Sequence, residues 1–149
     1  MRKFVWRLQK VLDVNEKKQQ AKQVELFQVT EKLALTRANL FAQKRMLRDL
    51  IEKVAADKDE NRFHRQQLLL KSTKHNDELI KKHEQEIVRL EQLRKQLMEE
   101  FLKLKKSTEA LEKLREQHKR KFIAEQEKLE QKESDEHTSM RFARLSAGK

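Results

Sequence analysis

Residues 26–54, LFQVTEKLALTRANLFAQKRMLRDLIEKV, place Leu26, Leu33, Leu40, Leu47 and Val54 at intervals of seven. The same phase runs back to Leu12 and Val5, broken only by Gln19, and Leu8, Val29 and Leu50 stand three residues after members of the set. Side chains three and four apart share one face of a helix, so this is an a/d seam that must bury against another helix. Asn15, Gln19 and Lys22 interrupt it in consecutive core slots. Polar groups there weaken packing and set register or choice of partner.

A second seam runs through Ile80, Ile87, Leu90, Leu97, Phe101, Leu104, Leu111, Phe122 and Leu129. Where Arg94 and Arg115 occupy expected d slots, Leu93 and Leu114 lie one residue earlier and carry the seam on, slightly shifted, to about 130. Two seams in one chain are satisfied most simply by folding back on each other. The expected fold class is all-α: two long helices forming an antiparallel coiled-coil hairpin, a single domain over 1–149. Helix 1 is expected over about 4–56 and helix 2 to about 135, with 136–149 a fraying tail. The reversal belongs within 55–77. Residues 57–62 are favoured, since Asp57 and Glu60 have capping-box spacing. The alternative is 72–77, where Asn76 or Asp77 would cap a helix starting at Glu78. With the favoured turn, helix 2 outruns helix 1 and leaves Phe122 and Leu129 for a partner to cover.

Composition agrees. Charged residues are 41% of the chain against ~25% in ordinary domains, and Gly plus Pro amount to one residue where ~12% is usual. Turns draw on Gly, Pro, Asn and Asp, so few reversals are available. Without Cys there is no disulfide, thiolate nucleophile or cysteine-ligated metal. No apolar signal core follows the basic residues 1–7, and no run approaches the ~18 apolar residues of a membrane span. The expectation is a soluble chain that reaches a membrane through a partner. Of the net charge of +11, residues 1–54 contribute 13 Lys/Arg and 6 Asp/Glu, a net +7. Such a basic stripe suits an acidic partner surface, nucleic acid or anionic lipid, and equally a solvated coiled-coil flank.

The residues offer no catalytic chemistry. His64, His75, His83, His118 and His137 include no i, i+4 pair, and none follows a Glu by three residues as a helical carboxylate metal site requires. His83-Glu84 begins like a zinc-protease motif, but Ile87 stands where the second His is needed. His83 and His118 fall on seam positions, where they read as polar breaks in the core. The carboxylates have basic neighbours at helical spacing, as Glu91 has Lys95. A two-helix coiled coil also lacks the concave pocket an enzyme needs. Neither enzyme activity, nor a cofactor, nor a metal site is expected. The run His118-Lys119-Arg120-Lys121 before Phe122 is the best nucleic-acid candidate, but it is flanked by Glu112, Glu116, Glu125 and Glu127 and belongs to no recognised module. Phe4-Val5-Trp6-Arg7-Leu8 with Arg2, Lys3 and Lys10 would suit anionic lipid. Alternatively, Phe4 and Trp6 cap the open end of the coiled coil.

Two segments carry a family resemblance. Phe4-Val5-Trp6-Arg7-Leu8-Gln9-Lys10-Val11-Leu12-Asp13 is an aromatic pair followed by a Leu-x-x-Val-Leu helix start. Residues 111–118, Leu111-Glu112-Lys113-Leu114-Arg115-Glu116-Gln117-His118, and the stretch Glu130-Gln131-Lys132-Glu133-Ser134-Asp135-Glu136, trailed by Arg141-Phe142-Ala143-Arg144, form the other segment. In order, separation and total length the chain resembles the flagellar export protein FliJ family. The Phe4/Trp6 opening and the Asp135-Glu136 ending are the parts that heptads alone do not demand.

The resemblance implies a non-enzymatic component of the flagellar type III export apparatus, with a coiled coil resembling the stalk subunit of rotary ATPases. It implies insertion in the hexameric export ATPase, contact with the cytoplasmic domain of the membrane export gate, and escort of export chaperones. The implied location is cytoplasmic, peripheral to the inner-membrane export apparatus at the flagellar base. ATPase-ring contacts are expected at Phe4, Trp6, Arg7, Lys10, Lys119, Arg120, Lys121 and Phe122. Gate contacts are expected at Leu68, Leu69, Leu79 and His83, although Ser72 and Asn76 are polar where the family suggests bulkier residues. The seam is expected at Leu8, Leu12, Leu26, Leu33, Leu40, Leu47, Leu90, Leu97, Phe101, Leu104 and Leu111. The competing readings are a structural coiled-coil dimer, or a basic coiled coil that binds lipid or nucleic acid.

Overall fold

The computed structural model describes residues 2–56 and 62–148. Two helices, α1 (Gln9–Ala56, 48 residues) and α2 (Arg62–Ala147, 86 residues), follow a short N-terminal segment, with no strand among the described residues. They pack against each other as an antiparallel coiled-coil hairpin, which is how one chain buries two seams. Two compact units result: unit 1 comprises Met1–Gln19 with Lys103–Lys149, and unit 2 comprises Gln20–Leu102. Within unit 1, residue 6 meets 118, 9 meets 115 and 15 meets 107. Within unit 2, residue 22 meets 100, 37 meets 91 and 44 meets 84. One number falls as the other rises, as antiparallel pairing requires.

The core of unit 2 is seam residues. Leu33 and Leu90 are each 2% exposed, and Val29 and Leu97 are buried with them. Leu26, Ile87 and Leu93 pack against this cluster, while Arg94 is exposed. Leu93 therefore does the work of the d slot that Arg94 vacates. Burying each such Leu contributes ~1.5–3 kcal/mol relative to leaving it in water. Leu40, Leu47 and Phe101 are half-buried in unit 2, as are Leu8, Leu104, Leu111 and Leu114 in unit 1, where Leu12 is fully buried. Thr30, Thr36 and Thr108 each donate their hydroxyl to the carbonyl four residues back, so these polar groups are satisfied inside the helices.

Two of the three polar core slots are matched across the interface. In unit 1, Asn15 Nδ2 donates to Ser107 Oγ at 3.1 Å. In unit 2, Lys22 Nζ reaches Glu100 at 2.8 Å and Glu25 at 3.5 Å. The Glu100 carboxylate, accepting that hydrogen bond, raises the Lys22 pKa above its usual value. Across from α1, Arg89 holds Glu86 below the usual carboxylate range by donating to it.

Three expectations on the elements need correction. Helix α1 starts at Gln9, not at about 4, and Val5 is 85% exposed whereas Trp6 is 6% exposed. Continuing the helix back to 4 would turn Val5 inward; leaving it irregular lets the larger indole bury instead. Helix α2 runs to Ala147 rather than to about 135, because nothing in 136–147 breaks a helix before Gly148, whose N–H closes a last bond to the Arg144 carbonyl at 3.1 Å. Leu50 and Leu129, both assigned to the seams, are 37% and 53% exposed. Of the favoured turn 57–62, Arg62 opens α2 and residues 57–61 lie outside the described residues; the alternative at 72–77 lies within α2.

Candidate interaction surfaces

The N-terminal segment of unit 1 is held by an aromatic clasp. Trp6 Nε1 donates to His118 Nδ1 at 2.9 Å, with the rings edge-on at 79° and their centroids 6.2 Å apart. One helical turn further along α2, Phe122 packs against Phe4, with centroids 5.5 Å apart and planes tilted by 51°. One turn before His118, the Arg115 guanidinium sits over the Phe4 ring, 5.8 Å from its centroid, and its Nε donates to Gln9 Oε1 at 2.8 Å. His118, Phe122 and Arg115 thus use the i±3/4 spacing of one α2 face to grip Phe4 and Trp6, which precede α1, and Gln9, which opens it. The Trp6 carbonyl accepts from the Gln9 N–H at 3.2 Å, so the clasped residue also launches α1.

This sorts the eight expected ATPase-contact residues into two groups. Phe4, Trp6 and Phe122 are spent on the clasp: Trp6 is buried, and Phe4 and Phe122 are half-buried. Arg7, Lys10, Lys119, Arg120 and Lys121 are all exposed. None of these five forms an ion pair among the described residues, so the clasp leaves a cluster of cations around its edge. Arg115 and His118 are the residues that sequence reasoning missed as a unit. The available signal was the spacing of three residues from Arg115 to His118 and four from His118 to Phe122, in a chain that opens on an aromatic pair.

The expected gate residues lie in unit 2 on α2. Leu79 and His83 are one turn apart and half-buried, Leu69 is half-buried, and Leu68 is 52% exposed. Leu70 and Phe63 are more exposed still, at 70% and 73%. Asn76, one turn before Leu79 and two before His83, accepts from Gln43 Nε2 at 2.7 Å, so its polar side chain serves the contact with α1. Leu79 and His83 therefore form one group beside the seam, and Leu68 belongs with the exposed apolar start of α2.

Both places present exposed cations or apolar side chains of the kind that bind partners. The groove lined by Arg37, Glu91, Arg94, Lys95, Met98 and Glu99 is crossed by the Arg37–Glu91 ion pair. Among the described residues, no three His, Asp or Glu side chains converge, and no helix is long and apolar enough to cross a membrane. Against known proteins, a family model described as Flagellar FliJ protein matches residues 3–146, nearly the whole chain. No curated protein and no solved structure matches significantly.

Proposed function

This chain belongs to the flagellar FliJ family and so is a component of the flagellar export apparatus, and on that premise we propose that it is a non-enzymatic partner of the hexameric export ATPase. The clasped end of unit 1 enters the ATPase ring and promotes its assembly and activity. Elsewhere the chain contacts the cytoplasmic domain of the export gate and escorts export chaperones, on the cytoplasmic side at the flagellar base. The observation that carries this reading is the cation cluster Arg7, Lys10, Lys119, Arg120 and Lys121 around a clasp whose own aromatics are internally satisfied. A rigidly based group of like charges suits an acidic ring bore, and fixing its base beforehand lowers the ordering cost of insertion.

The test is charge reversal. Arg7→Glu with Lys10→Glu should abolish stimulation of the purified export ATPase while circular dichroism stays that of the wild type. Stimulation that survives with helicity intact removes this end as the insertion site. For the gate, Leu79→Ala with His83→Ala should weaken retention of the gate's cytoplasmic domain in a pull-down. Undiminished retention argues against that assignment.

A further inference from the structure

Helix α1 has a second apolar face within unit 2 that no part of the seam uses. Val24, Leu35 and Met46 are eleven residues apart and are 56%, 63% and 59% exposed. Beside them, Phe27, Ala34 and Phe41 recur every seven residues, and the two Phe rings are 63% and 68% exposed. At ~100° per residue the first row drifts one way and the second the other, so they stand ~60° apart at Val24 and Phe27 and ~140° apart at Phe41 and Met46. Both lie on the half of the helix turned away from Leu26, Leu33, Leu40 and Leu47. Ala38 and Ala42 fill the space between the rows, and Glu31 is the carboxylate that interrupts them. Scattered exposed apolar residues are ordinary, but a stripe of five large ones over six turns of a helix is the pattern of a helix with two buried sides.

The charge beside the stripe points to the occupant. Residues 24–48 carry five Lys/Arg and two Asp/Glu, a net +3. Arg37 and Lys44 are directed to Glu91 and Glu84 across the hairpin. Arg45 and Arg48, on either side of Phe41 around the helix, have no ion-pair partner among the described residues. A second copy of this chain would bring the same positive flank against itself. We propose that the outer face of α1 from Val24 to Met46 is a docking surface for an amphipathic helix of another protein, one with acidic residues flanking its apolar stripe. Phe27 and Phe41 are the anchors, the alanines between them admit the partner's larger side chains, and Arg45 and Arg48 select the acidic flank. None of these residues is among those assigned above to the ATPase or the gate.

The experiment titrates the full chain into a fluorescein-labelled synthetic helical peptide with Leu at a and d and Glu at e and g, followed by anisotropy. Its twin, with Lys at e and g, is the control. The expected result is saturable binding of the Glu peptide, at least tenfold weaker binding of the Lys twin, and at least tenfold weaker binding by Leu35→Gln/Phe41→Gln. Both substituted side chains are exposed, so the variant should keep wild-type helicity and melting. Absence of saturable binding, equal binding of the twin, or equal binding by the variant overturns the proposal. A wild-type homodimer in sedimentation that the double substitution dissolves also overturns it, because the occupant is then a second copy.

Discussion

The indole N–H of Trp6 donates to Nδ1 of His118, 2.9 Å away and 112 positions later in the chain. This contact ties residues ahead of α1 to a point deep in α2 and decides which N-terminal side chain turns inward. As the chain has a single Trp, the contact can be followed by its own fluorescence.

His118→Leu removes the acceptor and leaves the indole N–H without a partner in a nearly buried site. The cost should be ~1–3 kcal/mol, the usual penalty for an unsatisfied buried donor. Trp emission should shift to the red as the segment loosens and water reaches the ring. Unchanged emission and unchanged melting together would mean that the clasp does not hold the segment.

Leu33 and Leu90 are the most deeply buried side chains of unit 2. Leu33→Ala or Leu90→Ala should each destabilise the chain by ~2–5 kcal/mol in urea melts followed at 222 nm. Because the two share one cluster, the double variant should cost less or more than the sum, not the sum itself. By contrast, Leu35→Ala on the outer face should stay within ~0.5 kcal/mol of the wild type.

Stability should fall at both ends of the pH scale for identifiable reasons. The folded pKa of Lys22 is raised above 10.5, so its bond to Glu100 contributes fully below that pH and is lost as pH rises through the folded value. The folded pKa of Glu86 is lowered beneath 4.5, so its bond to Arg89 contributes above that pH and is lost as pH falls through the folded value. Urea midpoints measured against pH should show both limbs. Lys22→Met should flatten the alkaline one and Glu86→Gln the acidic one. All these groups touch solvent, so both effects should shrink in high salt.

The stretch 136–147 is helical but exposed throughout. Ending the chain after Asp135 should lower the helical signal in proportion to the residues removed and leave the melting midpoint within ~2 °C, since no buried contact is lost. A larger drop would show that this stretch packs on something in solution.

ATPase stimulation, if it depends on the cations around the clasp, should decline steadily with added salt. At 1 M the screening length is ~3 Å, shorter than the spacing of exposed charges on a helix face. Stimulation that is indifferent to salt would point to apolar contacts instead.

The recurrence of Leu26, Leu33, Leu40 and Leu47 determined by itself that α1 buries one face along a second helix. The matching run from Ile87 to Leu111 supplied a second seam in the same chain, for which folding back is the simplest solution. The family was legible too, in the Phe4/Trp6 opening and the Asp135-Glu136 ending, because these do not follow from heptads. Tertiary structure decided what periodicity leaves open. A heptad extrapolated past Leu8 turns Val5 inward; only the presence of His118, Phe122 and Arg115 opposite makes burying Trp6 the better arrangement. Likewise Asn15 and Lys22 looked like breaks in a seam until Ser107 and Glu100 stood across from them. A seam repeats locally and can be read from one strand of text, whereas a clasp depends on which residues a distant part of the chain brings to meet it.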